Sequence, residues 1–351
     1  MYSILTKQNN FNLLRKYVVV FTSLLLFIGG VIYMNPQMQP PIMYINLVDD
    51  NIVCHYVNEN DALPSAEDKN FLPTPNSIFF HETSCRGGLN SRQACAIESA
   101  SRAHPRRQVY VMFSAPVSEA VYQRSSIAKL RRFANIKFAR IHIGEYARNT
   151  PLEAMVASAP FNKSHFPLEH TSDILRYLTL YKWGGVYLDT DMLVVKSLTP
   201  LGNNWVAKQD SSFVNAAAIA ISTDQLGRKL VEAVMNELKT TYRPDIWVHN
   251  GPGAITRVLR KMCTTKKLAK WSSKTCQGLE VYSPEYFFPL HYSLKHKYFT
   301  AGEKNSKDAY THHFWNKLTY NMKIEKDSPY EKMAQKYCPT IYEMYGQGFG
   351  L

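Results

Sequence analysis

Between residues 77 and 143, β-prone and helical stretches alternate, and this alternation most limits the folds open to the chain. The apolar run SIFF (77–80) ends in the polar HETS (81–84), and ACAIESASRAH (94–104) suits a helix. QVYVMF (108–113) is strongly β-prone, EAVYQRSSIAKLRRF (119–133) returns to helical spacing, and IKFARIHI (136–143) alternates like a strand. Strand, helix, strand, helix, strand predicts an α/β domain with a parallel sheet and helices on its faces. Ligands of such sheets sit beyond the carboxyl ends of the strands, so HETS is expected to form one wall of a site.

Residues 171–195 repeat the pattern. Thr171 or Ser172 is expected to cap a helix, with Asp173 in its positive first turn and Arg176 on the same face at i, i+3. Gly184–Gly185 should end that helix, and VYL should form a strand that delivers Asp189-Thr190-Asp191 to its end. In an extended stretch Asp189 and Asp191 lie on one side. Two like charges that close repel unless a cation lies between them, and paired carboxylate oxygens suit Mg²⁺ or Mn²⁺. Such an ion can bridge to a diphosphate and neutralise it as it departs. Phosphatases of the haloacid dehalogenase type also carry DxD after an apolar strand, but they usually place Thr or Val two positions further on. Here Met192 and Leu193 follow, in mid-chain, so that fit is poor.

Lys and Arg exceed Asp and Glu by 41 − 28 = 13. The basic pairs are scattered, which predicts a solvated surface and no nucleic-acid partner. Tyr17–Tyr33 contains no charged side chain, and as a helix it would span roughly 26 Å, the short end for a membrane crossing. No small-residue cleavage signature follows it. Lys7, Arg15 and Lys16 precede it, so residues 1–16 are expected in the cytosol, 17–33 as an uncleaved anchor and the body in the lumen. Residues 34–75, rich in Pro, Asn and Asp, read as a stem, and 76–345 as the lumenal domain. Six cysteines without a CxxC pair speak for disulfides rather than zinc. Short loops favour Cys85–Cys95 and Cys263–Cys276, which leaves Cys54–Cys338 by elimination. Asn162, in NKS, is a glycan acceptor sequence.

SDILRYLTLYKWGGVYLDTDMLVVKSL (172–198) resembles the donor-binding core of DXD glycosyltransferases. NSIFFHETS, CAIESASRAHP, WVHNGPGAITRVLRKMC, HHFWNKLT and YCPTIYEMY resemble, in order, blocks of the lactosylceramide alpha-1,4-galactosyltransferase group of glycosyltransferase family 32. The resemblance implies a single-pass type II Golgi membrane protein with a GT-A-like nucleotide-sugar-binding domain. Its sheet would be mixed and mainly parallel. It implies a retaining enzyme that forms alpha-1,4 linkages with a UDP-sugar and a divalent ion, usually Mn²⁺. The donor would be UDP-galactose or UDP-N-acetylgalactosamine and the acceptor a glycolipid. Alternatives are an N-acetylglucosaminyltransferase acting on glycoprotein glycans and an inert UDP-sugar-binding protein.

By the same resemblance, His81, Glu82 and Thr83 would receive the uridine, Asp173 and Arg176 would contact the donor, and Asp189, Thr190 and Asp191 would hold ribose and metal. His313 is a candidate third ligand and Trp315 a cover for the site. Asn215, Asn250 and Gly251 are candidates for the donor sugar. Asn250 and His249 join the two aspartates as candidate catalytic groups, His249 through the acceptor hydroxyl. Asn250 stands where Gln is expected, and Ala216–Ala217 where Gly-Ala is expected, so sugar identity stays open. The aromatics of 284–292 read as core rather than as a sugar platform.

Overall fold

A computed structural model of the protein describes residues 52–57, 61–303 and 306–350. The expected tail and anchor lie outside the described residues, among which no helix is long and apolar enough to cross a membrane.

The first half folds as the alternation predicts. Strands β1 (Ile78–Glu82), β2 (Val109–Phe113), β3 (Ile136–Arg140) and β4 (Gly185–Leu188) are followed by β5 (Met192–Val194), β6 (Trp205–Lys208), β7 (Val214–Ile221), β8 (Glu280–Tyr282) and β9 (Thr311–His313). The main helices are α1 (Ser91–Ala103), α2 (Pro167–Trp183), α3 (Gln225–Thr241), α4 (Pro252–Met262), α5 (Pro329–Tyr337) and α6 (Pro339–Tyr345). Among the described residues one sheet has seven strands in the order β3-β2-β1-β4-β7-β6-β8. The β1–β2, β2–β3, β1–β4 and β6–β8 pairs are parallel, and the β4–β7 and β6–β7 pairs antiparallel, so the sheet is mixed and mainly parallel. Helices on both faces require strands apolar on both sides. β1, β2 and β7 are accordingly buried along their whole length.

The chain runs outward from β1 to β2 and β3 and then returns to β4 on the other side of β1, from where it continues toward β7. The strand order thus reverses between β1 and β4, and the gap beyond their carboxyl ends is the crevice in which open α/β sheets take their ligands. β5 and β9 form a separate antiparallel pair in which Met192 faces His313. This small pair carries a C-terminal segment to the residues just after β4.

Four local expectations need correction. The 119–133 helix is two short ones, Glu119–Arg124 and Ser126–Leu130, because the Ser125 hydroxyl accepts from Ile127 N–H and starts a new turn. α2 begins at Pro167, four or five residues before the expected caps, since proline suits the first helical turn, where no N–H partner is needed. Its end at Gly184 is as expected, with Gly184 and Gly185 at φ 65° and 97°.

The described part of the expected stem is bound to the domain. Ala66 N–H donates to Arg140 C=O at 2.7 Å and Arg140 N–H to Pro64 C=O at 2.8 Å, so this segment covers the edge of β3. Finally, the disulfides are Cys54–Cys85, Cys95–Cys338 and Cys263–Cys276. The last is as expected. Cys85–Cys95 and Cys54–Cys338 do not form, because Cys95 sits on α1 against the α5–α6 junction that holds Cys338, while Cys54 lies by the loop after β1.

Candidate active site

A cavity of about 710 Å³ opens at the crevice, within the range of small-molecule sites. The ends of β1 and β4, the first turns of α2, the β6–β7 connection and the segment after β9 line it.

Asp189 and Asp191 converge, though not through strand alternation. The chain leaves β4 at Asp189 and turns at Thr190–Asp191, with Met192 N–H donating to Asp189 C=O at 3.0 Å. The β5–β9 pair then brings His313 alongside. Oxygens of both aspartates and a ring nitrogen of His313 all lie within 4.8 Å of one another. His313 Nε2 is 3.2 Å from Asp191 Oδ1. Neighbouring ligand atoms on an octahedral ion with bonds of about 2.1 Å lie about 3 Å apart, so the set fits a shared cation. Two carboxylates with one imidazole make a mixed oxygen and nitrogen donor set for a divalent cation. Trp315 lies against the His313 ring, tilted by 37° with 3.9 Å between centroids, and donates its indole N–H to Leu290 C=O. It takes left-handed backbone, φ 56°, a strained conformation for a bulky residue beside a candidate ligand.

The two aspartates are held by different partners. Asp189 Oδ1 accepts from Tyr187 O–H at 2.6 Å and lies 3.4 Å from Arg176 Nη2. Asp191 Oδ2 accepts from Asn316 N–H at 2.7 Å. Burial works against the Asp191 charge, but His313 and the Asn316 N–H outweigh it and hold the carboxyl below the usual range. Arg176 is the buried hub. It donates to Ala216 C=O at 2.7 Å, lies 3.1 Å from Asp173 Oδ1 and sits 4.7 Å above the Tyr187 ring. Burial disfavours its charge, and Asp189, Tyr187 and Asp173 more than restore it. Burial pushes Asp173 up to about 7 against the pull of Arg176, with Asp189 and Glu169 adding to the rise.

HETS stands where the strand argument places it. His81 is buried, bonded to Thr179 Oγ1 at 3.0 Å, and burial followed by the Arg176 charge brings it down to about 3. Thr83 donates to Leu168 C=O. Glu82 Oε1 accepts from Ser84 Oγ at 2.7 Å and from Gln93, whose amide also reaches Thr190 Oγ1 at 3.4 Å. Asn215 lines the cavity and donates to Gln209 Oε1 at 2.7 Å.

Asn250 and His249 do not join the catalytic set. Asn250 is fully buried, with its amide exchanging two bonds with the Arg243 backbone, and His249 Nε2 bonds Thr241 C=O at 2.8 Å. The loop uses both side chains to close on itself. Gly251 acts through space: a Cβ there would lie 2.1 Å from Asp173 Oδ1. Sequence reasoning missed Tyr187, Gln93, Gln209 and Asp210. Tyr187 was accessible, since it precedes Asp189 by two residues along a strand and so shares its side.

Comparison with known proteins bears on this arrangement. Residues 90–212 match the glycosyltransferase sugar-binding region containing the DXD motif, and residues 223–345 match the alpha 1,4-glycosyltransferase conserved region. Human lactosylceramide 4-alpha-galactosyltransferase is 32% identical over 282 residues, 77% of this chain and 78% of that protein. The chain belongs to the alpha-1,4-glycosyltransferase family. Within it, the mouse lactosylceramide enzyme is 32% identical over 280 residues, with 77% of this chain and 76% of that protein covered. Human alpha-1,4-N-acetylglucosaminyltransferase is 25% identical over 280 residues, 76% and 79% of the two chains. Among solved structures, the galactosyltransferase LgtC with donor and acceptor sugar analogues is 16% identical, covers 76% of this chain and 95% of that one, and gives a TM-score of 0.42. Family membership makes the protein a hexosyltransferase of the alpha-1,4 type, and the DXD region implies a nucleotide-sugar donor with a divalent metal.

Proposed function

We propose that the protein is a retaining alpha-1,4-hexosyltransferase that moves galactose or N-acetylgalactosamine from its UDP conjugate to the non-reducing end of a glycolipid. We place it in the Golgi membrane as a single-pass type II protein with the domain lumenal. The observation that carries the reading is the convergence of Asp189, Asp191 and His313 beside Arg176 at the mouth of the β1/β4 crevice. Those three residues would hold Mn²⁺ or Mg²⁺, and the ion would supply neutralising charge for the departing diphosphate. Arg176 keeps its charge against burial and fixes Asp173 and Asp189, so the carboxylates facing the donor are oriented before it arrives. His81 stays neutral and offers a hydrogen bond rather than a charge at the β1 end. Trp315 and Tyr292 on the cavity wall limit the access of water, which competes with the acceptor for the sugar.

The glycolipid acceptor is supported by the two lactosylceramide enzymes at 32% identity. The 25% identical N-acetylglucosaminyltransferase supports a second reading, with that sugar as donor and glycoprotein glycans as acceptors. Incubating the full-length protein with Mn²⁺, each of three UDP-sugars and a panel of glycolipids and glycoprotein glycans separates them. Transfer of galactose or N-acetylgalactosamine to glycolipid is expected. Transfer of N-acetylglucosamine alone replaces the first reading by the second, and UDP-sugar binding with no transfer to any acceptor removes both. Release of the full-length protein from membranes by alkaline carbonate would refute the anchor.

A further inference from the structure

The candidate donor and metal groups described so far come from β1, β4, α2 and the β9 segment. The β6–β7 connection and the segment after Phe288 add Gln209, Asp210, Phe213 and Tyr292 to the cavity lining. We propose that this wall is the subsite for the terminal sugar of the acceptor, with the Asp210 carboxylate accepting its hydroxyls and Tyr292 as its stacking platform. The proposal rests on the functional reading above.

Three features carry it. First, the β6–β7 register shifts between Val206 and Ala207. A bulge re-aims the residues beyond it, a device common beside active sites. Gln209 and Asp210 follow it and reach the cavity wall.

Second, Asp210 is fixed before any ligand arrives. Its Oδ1 accepts from the N–H groups of Ser212 at 2.6 Å and Phe213 at 3.1 Å, and its Oδ2 accepts from the Gln209 amide at 3.0 Å. Gln209 is held in turn by Asn215, whose own Oδ1 accepts from Ala217 N–H. An ionised carboxylate offers about four acceptor positions, and three are used here. The site keeps a carboxylate acceptor aimed by Ser212, Phe213 and Gln209, and among the described residues no lysine or arginine forms an ion pair with it. Sugar hydroxyls are the donors such a group suits, and charge-assisted bonds to them are the stronger kind.

Third, Tyr292 is 41% exposed although it lines the cavity, so its ring is available where Phe287 and Phe288 are packed away. It stands edge-on to Trp315 at 6.0 Å, next to the candidate metal ligand, and 4.0 Å from the His291 ring. His291 Nε2 is 3.8 Å from Asp210 Oδ2, which joins the aromatic and acidic parts into one wall. An aromatic face with a few fixed polar groups is the usual make-up of a small-ligand site, and it matches the apolar face and hydroxyl rim of a hexose. The core reading of the 284–292 aromatics therefore holds for Phe287 and Phe288 but not for Tyr292.

The test uses full-length protein in detergent, with methyl β-lactoside as acceptor probe and UDP with Mg²⁺ as donor-side probe. Lactoside binding is followed by saturation-transfer NMR and UDP binding by calorimetry. Asp210→Asn and Tyr292→Ala should each weaken lactoside binding about tenfold, the loss of one good contact, and leave UDP affinity within about twofold. Unchanged lactoside binding in both variants overturns the proposal, as does a parallel loss of UDP affinity. Wild-type protein that binds UDP but no lactoside also overturns it and leaves the donor reading standing. Wild-type protein that binds lactoside but no UDP removes the donor reading, while lactoside loss in the variants still upholds the subsite. Binding of neither probe removes both.

Discussion

At the scale of single residues, the site depends on how few cations serve how many carboxylates. Arg176 lies against both Asp173 and Asp189, and Asp191 is left to His313 and a backbone N–H. Breaking a buried pair is expensive because the remaining charge has no water to turn to. Gly251 guards this arrangement from outside. Its φ is −92°, so backbone strain is not what demands glycine; the 2.1 Å approach of a Cβ to Asp173 is. Gly251→Ala is expected to displace Asp173, cost about 1–3 kcal/mol of stability by overpacking and lower kcat/KM at least tenfold. Thermal unfolding and steady-state kinetics check this, and wild-type values for both would contradict it. Asp173 and Arg176 were legible because i, i+3 spacing puts them on one side of a helix, and the paired aspartates because they follow an apolar strand, although a turn rather than strand alternation brings them together. The burial of Asn250 and His249 was not. Nothing in VHNGPG reveals that the Arg243 and Thr241 backbone, some eight residues upstream, takes up both side chains.

At the scale of elements, strands with apolar runs and the glycine stop of α2 could be read directly, whereas elements defined by partners far along the chain could not. β9 is three residues long, yet its pairing with β5 supplies His313. Cys95 and Cys338 are 243 residues apart and meet only because α1 packs against the α5–α6 junction. Short loops were the wrong guide there and the right one for Cys263–Cys276, which are 13 apart. Chain-entropy arguments make the long-range link the more stabilising, roughly 5 kcal/mol against roughly 3 kcal/mol. Replacing both cysteines of each pair by serine should therefore lower the denaturant midpoint more for Cys95–Cys338 than for Cys263–Cys276. Equal or inverted losses would contradict the assignment of that link as the main clamp between α1 and the C-terminal helices.

At the scale of the whole molecule, three buried imidazoles make stability depend on pH. Burial brings His55 down to about 4, His81 to about 3 and His104 to about 4. In the unfolded chain each would take up a proton below about 6.5. Between those values the unfolded state binds more protons, so stability is fully present above 6.5 and is lost as pH falls toward 4. The loss is on the order of 1–2 kcal/mol per histidine at pH 5. Asp173, raised to about 7 in the fold, takes up its proton in the folded state over the same range and offsets part of this loss. The three imidazoles outweigh the one carboxyl, so unfolding midpoints recorded from pH 7.5 to 5 should fall, and a flat or rising profile would contradict this.

The central claim is that Asp189, Asp191 and His313 grip a divalent ion that in turn fixes a nucleotide diphosphate. Calorimetric titration of the full-length protein with UDP, in Mn²⁺ and then with the ion chelated, tests it most directly when repeated on Asp191→Asn. The account predicts that UDP affinity falls about a hundredfold or more on chelation. It predicts the same loss in the variant at constant Mn²⁺, with an unfolding midpoint close to that of the wild type. UDP binding of equal strength with and without the ion, or an Asp191→Asn variant that binds as the wild type does, would contradict it.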